Sequence, residues 1–400
     1  MEESFCAQKE DNETCSGNRL EKNRTWAEID LSAIRHNYEV MRAMLKPGIR
    51  FLGVVKANAY GHGAVPVAKI LEKAGADYLA VACFSEACQL RKAGITLPIL
   101  ILGITDPEYT KDLIRFNITA ALGSTEDALA MNERAMSLGS KVKVHIKVDS
   151  GMGRVGFTCH GNRNPEAEIA GLLNLPGLDV EGIFTHFAMS DVPDDSYTDM
   201  QFNAFTSLID CVEAVSDFKF KIRHCTNSGA MVNYEKTYLD MVRPGIALYG
   251  CYDASLSENE SARYGGLDLR PAMSVRSRIA QIKTFEEGDS VSYGRIYTAP
   301  GTRRIAIVPI GYADGLFRSL SGKIDMLVRG QRVKQVGRIC MDMCMIDVTD
   351  VPEAIVGDIV TLFGHDGDEF IPVEEQAAKA DTISYELLCS IAPRVNRIYY

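Results

Sequence analysis

Lys56 is a charged residue at the end of an apolar segment. Residues 51–55 (FLGVV) have the composition of a buried strand, and the turn-forming sequence NAYGHG follows at 58–63. A buried amine costs free energy unless it is paired or used, and burial lowers the pKa of a lysine, which makes the amine a nucleophile toward carbonyl compounds. We therefore interpret Lys56 as a candidate for forming a Schiff base. The alternative is a lysine that lays its stem on the apolar surface and keeps its charge in solvent.

Polar residues also follow other apolar segments of the N-terminal part. They are Lys147 with Arg154, His186, Asn227 with Ser228, and Arg243 with Gly245. In a barrel of parallel strands, the carboxyl ends of the strands meet at one face, and catalytic residues concentrate there. The pattern predicts an active site at that face, with Lys56 in it.

Eight strand-like segments alternate with segments of helical period. The strand-like segments are 51–56, 78–82, 98–103, 118–123, 142–149, 180–187, 221–226 and 238–245. Residues 64–75 and 125–140 place apolar side chains three or four positions apart, as an amphipathic helix does. This alternation predicts an α/β fold whose N-terminal domain is a (β/α)8 TIM-like barrel, with a doubly wound sheet as the alternative.

The rhythm changes near residue 264. Residues 265–400 read as strands joined by Gly-rich turns, which predicts a mostly β C-terminal domain. The barrel is predicted over 24–264, with residues 24–31 as candidates to pair with the C-terminal domain. Residues 1–23 are charged and have few apolar anchors, so we expect a disordered tail.

Composition restricts the class of protein. The chain has 400 residues, of which 46% are hydrophobic, and its formal net charge is −10. Because the net charge is negative, the chain offers no basic surface for nucleic acid. No apolar run is long enough to span a membrane, and the polar N-terminus does not resemble a signal peptide. The 11 cysteines are therefore expected to be reduced thiols in the cytoplasm. No spacing typical of a metal site occurs, so we expect no metal.

Nine motifs, in order along the chain, resemble those of the pyridoxal-phosphate-dependent alanine racemases of fold type III. They are VVKANAYGHG (54–63), HIKVDSGMGRVGF (145–157), THFA (185–188), TNSGA (226–230), MVRPGIALYG (241–250), SVSYGRIY (290–297), PIGYADG (309–315), VGRICMD (336–342) and ISYE (383–386). Any one motif is weak, but nine in order are specific. The resemblance implies an enzyme that interconverts L-alanine and D-alanine, supplies D-alanine for peptidoglycan, and works as a homodimer.

The resemblance also implies cofactor contacts. The residues expected to bind pyridoxal phosphate are Lys56, Tyr60, Arg154, His186, Asn227, Ser228, Arg243, Gly245, Ile246 and Tyr385. Lys56 would hold it covalently, and Tyr60, Asn227, Ser228, Tyr385 and the backbone N–H groups of Gly245 and Ile246 would bind its phosphate. Arg243 would face the pyridine nitrogen. Because an arginine stays protonated, it would leave that nitrogen unprotonated and so limit side reactions such as transamination.

Two catalytic bases are implied. Racemisation removes the α-proton from one face of the substrate and returns a proton to the other, so Lys56 and Tyr293 would serve opposite faces. Tyr293 would come from the partner subunit, with His186 in a supporting position.

Further residues are implied at the substrate end. Arg154 and Met341 would bind the substrate, and Tyr312 would line the mouth of the site. The lysine that matches Lys147 is carbamylated in many relatives, so the resemblance implies a carbamylated Lys147, with a plain lysine as the alternative.

Other interpretations are weaker. GMGRVG at 151–156 fits a dinucleotide-binding fingerprint, but turn formers and Pro165 follow, so any helix would start about ten residues too late. A non-catalytic pyridoxal-phosphate-binding protein would lack the C-terminal motifs. The open alternative is a racemase for serine or for several amino acids. The retained Tyr385 favours alanine, whereas Met343, where many relatives have glutamine, leaves the pocket detail open.

Overall fold

A computed structural model describes residues 24–251 and 266–400. The predicted disordered tail, residues 1–23, and the predicted domain boundary at 264 and 265 lie outside the described residues.

The N-terminal part contains a barrel of eight parallel strands. After a first strand, β1 (Thr25–Ile29), the strands of this part are β2 (Arg50–Val54), β3 (Tyr78–Val81), β4 (Ile99–Ile104), β5 (Ile118–Leu122), β6 (Val142–Asp149), β7 (Phe157–Thr158), β8 (Leu178–Phe184), β9 (Ile222–His224) and β10 (Met241–Val242). Strand neighbours follow the order β10-β2-β3-β4-β5-β6-β8-β9, and the short β7 pairs with β6. The segments around β9 and β10 are joined by two backbone hydrogen bonds, from Asp240 N to Arg223 O and from Arg243 N to Thr226 O. The predicted barrel is therefore confirmed, and the doubly wound alternative is wrong because the last strand lies beside the first.

Helices cover the outside of this barrel. They are α1 (Leu31–Ala43), α2 (Ala64–Ala74), α3 (Phe84–Lys92), α4 (Thr110–Phe116), α5 (Thr125–Ser137), α6 (Glu166–Leu172) and α7 (Ser196–Ser216). The short helix α8 (Ser228–Asn233) follows β9 and begins where the barrel strands end. Because both faces of the strands are covered, β3 and β5 are buried along their whole length. Helix α6 begins ten residues after Gly156, so the dinucleotide fingerprint lacks the helix that it requires.

The C-terminal part is mostly β. Its elements are β11 (Met273–Arg278), β12 (Gln281–Phe285), β13 (Ser290–Val291), β14 (Tyr297–Thr298), β15 (Arg303–Val308), β16 (Asp325–Val328), β17 (Gln331–Val336), β18 (Cys344–Asp347), β19 (Ile359–Asp366), β20 (Glu369–Ile371), α9 (Val373–Lys379), α10 (Ser384–Ser390) and β21 (Asn396–Tyr399). Strand β1 lies in this sheet, antiparallel to β11 and parallel to β21. The chain thus contributes one strand to the β sheet before it enters the barrel.

No helix among the described residues is long and apolar enough to cross a membrane.

Candidate active site

A cavity of about 550 Å³ lies where the barrel strands end. Eleven residues singled out from the sequence line it: Lys56, Tyr60, Lys147, Arg154, His186, Asn227, Ser228, Arg243, Gly245, Ile246 and Tyr385. They come from segments spread over more than 300 positions of the chain. The parallel strands bring ten of them to one face, and Tyr385 reaches the cavity from α10 of the C-terminal part.

The segment that carries Lys56 and Tyr60 is a left-handed turn. Ala57, Asn58, Ala59 and Tyr60 have φ values of 52°, 53°, 55° and 50°. A left-handed conformation costs roughly 1–2 kcal/mol for each L-residue, and of these four only asparagine tolerates it readily. The helical period of the sequence does not predict such a turn, so contacts from elsewhere in the fold must hold it.

The environment of Lys56 favours a neutral amine. Burial lowers its pKa, and the positive charges of Arg154 and Arg243 add to the effect, while Cys389 and the charge of Glu86 oppose it. A lysine whose pKa is lowered in this way is a better nucleophile toward an aldehyde.

Arg243 is a buried cation held by neutral groups. Its side chain is only 4% exposed and donates to the carbonyl oxygens of Thr185 (2.8 Å) and Cys225 (3.1 Å) and to His224 Nδ1 (3.0 Å). No carboxylate among the described residues forms an ion pair with it, and burial lowers its pKa to about 10. The guanidinium therefore remains charged at neutral pH and directs hydrogen-bond donors, not acceptors, into its surroundings.

Two histidines behind Arg243, His224 and His145, continue its hydrogen bonds, with the direction of donation set by Arg243. Because Arg243 donates to Nδ1 of His224, the proton of His224 is assigned to Nε2, which lies 2.8 Å from His145 Nδ1. Burial, with the charge of Arg243, lowers the pKa of His145 to about 3 and that of His224 far below its usual value. Both rings are thus neutral. Neither histidine is among the residues predicted for the site, although alternation along β6 puts His145 on the same face as Lys147 and Asp149.

Asp149 builds the loop that carries Arg154. Its carboxylate accepts the backbone N–H groups of Gly151, Gly153 and Arg154 at 3.0, 3.0 and 2.9 Å. Burial by itself would raise the pKa of Asp149, but these three hydrogen bonds lower it. An aspartate followed by closely spaced glycines is a turn signal, so this role could have been found in the sequence.

Small residues and hydroxyl groups form the end of the cavity near Tyr60. Ser228 Oγ accepts the N–H of Gly245 at 2.9 Å, and Asn227 Oδ1 accepts the N–H of Ala230 at 2.9 Å, which caps α8. A Cβ at position 245 would lie 2.5 Å from the Tyr60 hydroxyl. The rings of Tyr60 and Tyr385 meet edge to face with centroids 5.8 Å apart. Only glycine fits at 245 while Tyr60 stays in place.

Lys147 is buried beside this network. Its Nζ donates to Val148 O at 2.6 Å and lies 5.3 Å from the centroid of the Phe184 ring. Burial, followed by the charge of Arg243, lowers its pKa to about 7. A substantial fraction of the amine is therefore neutral at physiological pH.

Three predicted residues lie on the C-terminal domain, outside this cavity. Tyr293, Met341 and Tyr312 are 71%, 54% and 42% exposed. Their loops adjoin one another, because Tyr312 N donates to Cys340 O and Ala313 N donates to Met341 O. Tyr293 and Cys340 share the lining of a second cavity of about 380 Å³. Within one chain, none of these three residues lines the cavity at Lys56.

The cavity suits an anionic aldehyde. Lys56, Lys147, Arg154 and Arg243 line it, against one carboxylate, that of Asp191. An amine of lowered pKa matches an aldehyde, and the hydroxyl and N–H groups around Ser228 and Gly245 match phosphate oxygens. These residues therefore fit pyridoxal phosphate.

Comparison with known proteins agrees with this chemistry. Family models described as "Alanine racemase, N-terminal domain" and "Alanine racemase, C-terminal domain" match residues 29–253 and 272–399. The alanine racemase of Desulforamulus reducens is 46% identical over 94% of this chain and 99% of its own length, and that of Desulfovibrio desulfuricans is 47% identical over 94% and 97%.

Solved structures give the same result. An alanine racemase of Clostridium difficile 630 superposes with a TM-score of 0.86 at 44% identity, covering 94% of this chain and 96% of that one. An alanine racemase of Bacillus anthracis with bound L-Ala-P gives a TM-score of 0.84 at 39% identity, covering 94% and 95%. Both domains and nearly the full length match, and the chain is an enzyme that belongs to the alanine racemase family.

Proposed function

We propose that this enzyme interconverts L-alanine and D-alanine with pyridoxal phosphate held at Lys56, and that Lys56 and Tyr293 of the partner subunit act on opposite faces of the substrate. The observation that carries the proposal is the convergence of a lysine of lowered pKa with three further basic side chains in one cavity. When bound, pyridoxal phosphate withdraws electrons from the Cα of the attached amino acid and so acidifies its α-hydrogen.

Lys56 has two tasks in this proposal. Its amine would hold the aldehyde group of pyridoxal phosphate and, with substrate bound, would exchange a proton with Cα on the face of D-alanine. The lowered pKa supports both tasks, because each requires an unprotonated amine.

The phosphate is assigned to the end of the cavity near Tyr60. Tyr60, Asn227, Ser228 and Tyr385 supply polar side chains, and Gly245 and Ile246 supply backbone N–H groups. The support is steric and chemical, since Gly245 leaves room beside the Tyr60 hydroxyl and Ser228 already lies within 2.9 Å of Gly245 N.

Arg243 is assigned to the pyridine nitrogen, with His186 near it. Arg243 keeps its proton, so it would donate a hydrogen bond to that nitrogen and would not protonate it. The neutral His224 and His145 support this role, because neither carries a charge that would compete with the guanidinium.

Tyr293 requires a second subunit. Its ring is 71% exposed and lies outside the cavity of its own chain, and Tyr312 and Met341 are exposed on the same domain. These side chains lie on adjoining loops, and exposed apolar and aromatic side chains that cluster in this way commonly mark protein interfaces. We therefore propose a homodimer in which Tyr293 of the partner subunit exchanges the proton on the face of L-alanine, while Met341 and Tyr312 approach the substrate with Arg154.

Lys147 is a proposed site of carbamylation. A pKa of about 7 leaves the amine partly neutral, which carbon dioxide requires. The resulting anion would offset the positive charge of Arg154 and Arg243.

The cellular setting is part of the proposal. D-alanine would supply peptidoglycan, and the reaction would take place in the cytoplasm. The nine described cysteines are all free thiols, in keeping with a reducing compartment.

The test is α-hydrogen exchange. The purified enzyme is mixed with L-alanine or L-serine in deuterated water, and α-deuterium and chirality are followed together. We expect rapid racemisation of alanine and slower turnover of serine, because a small pocket rejects one added hydroxyl group by only about a hundredfold. Serine turnover equal to or faster than that of alanine would assign the enzyme to serine or to several amino acids. A yellow protein that exchanges neither substrate would contradict the racemase proposal.

A further inference from the structure

The left-handed turn at Lys56 needs support at its first residue. Inside the turn, the earliest backbone hydrogen bond runs from Ala59 N to Val55 O at 2.9 Å. The N–H of Ala57, next to Lys56, is therefore directed to a group outside the turn.

Glu86 supplies that group. Its Oε1 accepts the N–H of Ala57 at 2.6 Å, and its Oε2 accepts the N–H of Ala82 at 2.8 Å. Ala82 directly follows β3, and Ala57 follows β2 by three positions, so one carboxylate bridges the ends of two adjacent barrel strands. A glutamate in the first turn of α3 would ordinarily do no more than cap its own helix. The bond to Ala57 goes beyond that role, because it joins residues 29 positions apart.

The other end of the turn is held by different groups. His62 is fully buried, and its Nδ1 lies 3.0 Å from the carbonyl oxygens of Ala59 and Tyr60. Arg397 Nε donates to Gly61 O at 3.0 Å. The end near Tyr60 is thus fixed from within the protein core, whereas the end near Lys56 depends on Glu86.

We propose that Glu86 is a positioning residue for Lys56, whose carboxylate holds the left-handed turn that directs Lys56 and Tyr60 into the same cavity. The inference rests on the proposed function, in which Lys56 binds pyridoxal phosphate. Glu86 acts through the backbone of Ala57, and it does not line the cavity. Its negative charge also lies close enough to Lys56 to raise the pKa of the amine and so limit the effect of burial.

The test compares Glu86→Gln with a matched control. Glutamine keeps the size of the side chain but has only one acceptor oxygen. If that oxygen accepts the N–H of Ala57 or of Ala82, the NH2 group faces the other N–H, and two donors then meet. Glu72→Gln is the control, because Glu72 also accepts backbone N–H groups, those of Thr96 and Leu97 at 2.7 and 3.1 Å, and does not line the cavity. Oε1 of Glu72 alone accepts both N–H groups, so a glutamine oxygen can take over this role.

Three quantities are measured on each protein: the affinity of the apoenzyme for pyridoxal phosphate, the fraction of Lys56 labelled after borohydride reduction, and the melting temperature. We expect Glu86→Gln to bind pyridoxal phosphate about tenfold or more weakly and to label Lys56 less, as the loss of a hydrogen bond to a charged acceptor implies. Glu72→Gln should keep the affinity and labelling of the wild type.

Two results would overturn the inference. One is unchanged affinity and labelling in Glu86→Gln while the wild type is labelled at Lys56. The other is a wild type labelled elsewhere and not at Lys56, which would reject the proposed function as well. Glu86→Asp is the milder variant if Glu86→Gln folds poorly. Its carboxylate is one methylene shorter, so we expect weakened binding, and full wild-type affinity would contradict the bridging role.

Discussion

Burial sets the chemistry of the two lysines in the cavity. Lys56 and Lys147 have the same functional group as the exposed lysines of the surface, but desolvation disfavours the charged form of both. Their neighbours differ, because Arg154 is the main charge acting on Lys56 and Arg243 is the main charge acting on Lys147. Residue type alone therefore does not determine reactivity here.

Replacing Lys56 should remove both the bound cofactor colour and the activity. In Lys56→Ala we expect loss of the visible absorption band and a fall in racemisation of at least about 10³-fold, since the covalent anchor and one base are removed together. Absorbance and chiral assay measure the two effects. Lys69→Ala, which removes an exposed lysine of α2, is the control. A visible band that survives in Lys56→Ala would contradict the assignment.

The buried histidines should make stability depend on pH. The folded pKa of His145 is about 3, against about 6.5 in the unfolded chain, so the unfolded chain binds more protons between these values. The stability contributed by the neutral ring is thus complete above pH 6.5 and is lost as the pH falls, by up to about 1.4 kcal/mol for each pH unit.

His145→Gln tests this linkage, because the glutamine oxygen can still accept from His224. We expect its melting temperature to fall less than that of the wild type between pH 7 and pH 5. His365→Gln, which removes an exposed histidine, controls for the loss of the residue type. Parallel melting curves for wild type and His145→Gln would show that His145 is not linked to the acid response.

At the scale of elements, strand ends and turns determine the shape of the cavity. The strands end on short segments whose backbone is held by side chains, as in the left-handed turn after β2 and the Asp149 loop after β6. Gly245 likewise lies in a short segment that follows a barrel strand, β10. Its φ is −116°, so it is required for space and not for a left-handed conformation.

Gly245→Ala should weaken cofactor binding without a backbone penalty. The new Cβ would lie 2.5 Å from the Tyr60 hydroxyl, and such overpacking typically costs about 1–3 kcal/mol. We expect the affinity for pyridoxal phosphate, measured by titration of the apoenzyme, to fall about tenfold. Gly171→Ala is the control, because nothing lies within 4 Å of its Cβ position in α6. Equal affinity in both variants would mean that Tyr60 can move aside and does not define the phosphate site.

At the scale of the whole molecule, the two domains divide the proposed chemistry. The barrel holds Lys56 and most of the residues that line its cavity, while Tyr293 lies on the β domain with 71% of its surface exposed. Strand β1 ties the start of the barrel domain into the β sheet, so the two parts of one chain are linked. A catalytic pair formed between subunits can be tested by mixing two inactive variants.

Lys56→Ala and Tyr293→Phe should complement each other. In a mixed dimer, one site has both mutations and the other has neither, so random mixing should restore about a quarter of the wild-type activity for each subunit. Racemisation is measured after the two variants are unfolded and refolded together. Each variant refolded alone is the control. No recovery in a mixed dimer isolated with two affinity tags would contradict the assignment of Tyr293 to the partner subunit.

The alternation of strands and helices was determined by local sequence. The eight strand-like segments correspond to β2–β6 and β8–β10, and residues 64–75 and 125–140 to α2 and α5, because the spacing of apolar residues depends only on which face of an element is buried. The failure of GMGRVG as a dinucleotide fingerprint was likewise readable from the turn formers after Gly156. The motifs that identify the family are also contained in the sequence.

Only the tertiary structure determined how the cavity is supported. Glu86 reaches Ala57 across 29 positions, and His145 reaches His224 across 79, and neither pair has a local pattern that would reveal it. The left-handed turn runs against the intrinsic preference of its residues, so contacts from the rest of the fold stabilise it. The lowered pKa of Lys56 follows from the same cause, because burial depends on packing between distant segments.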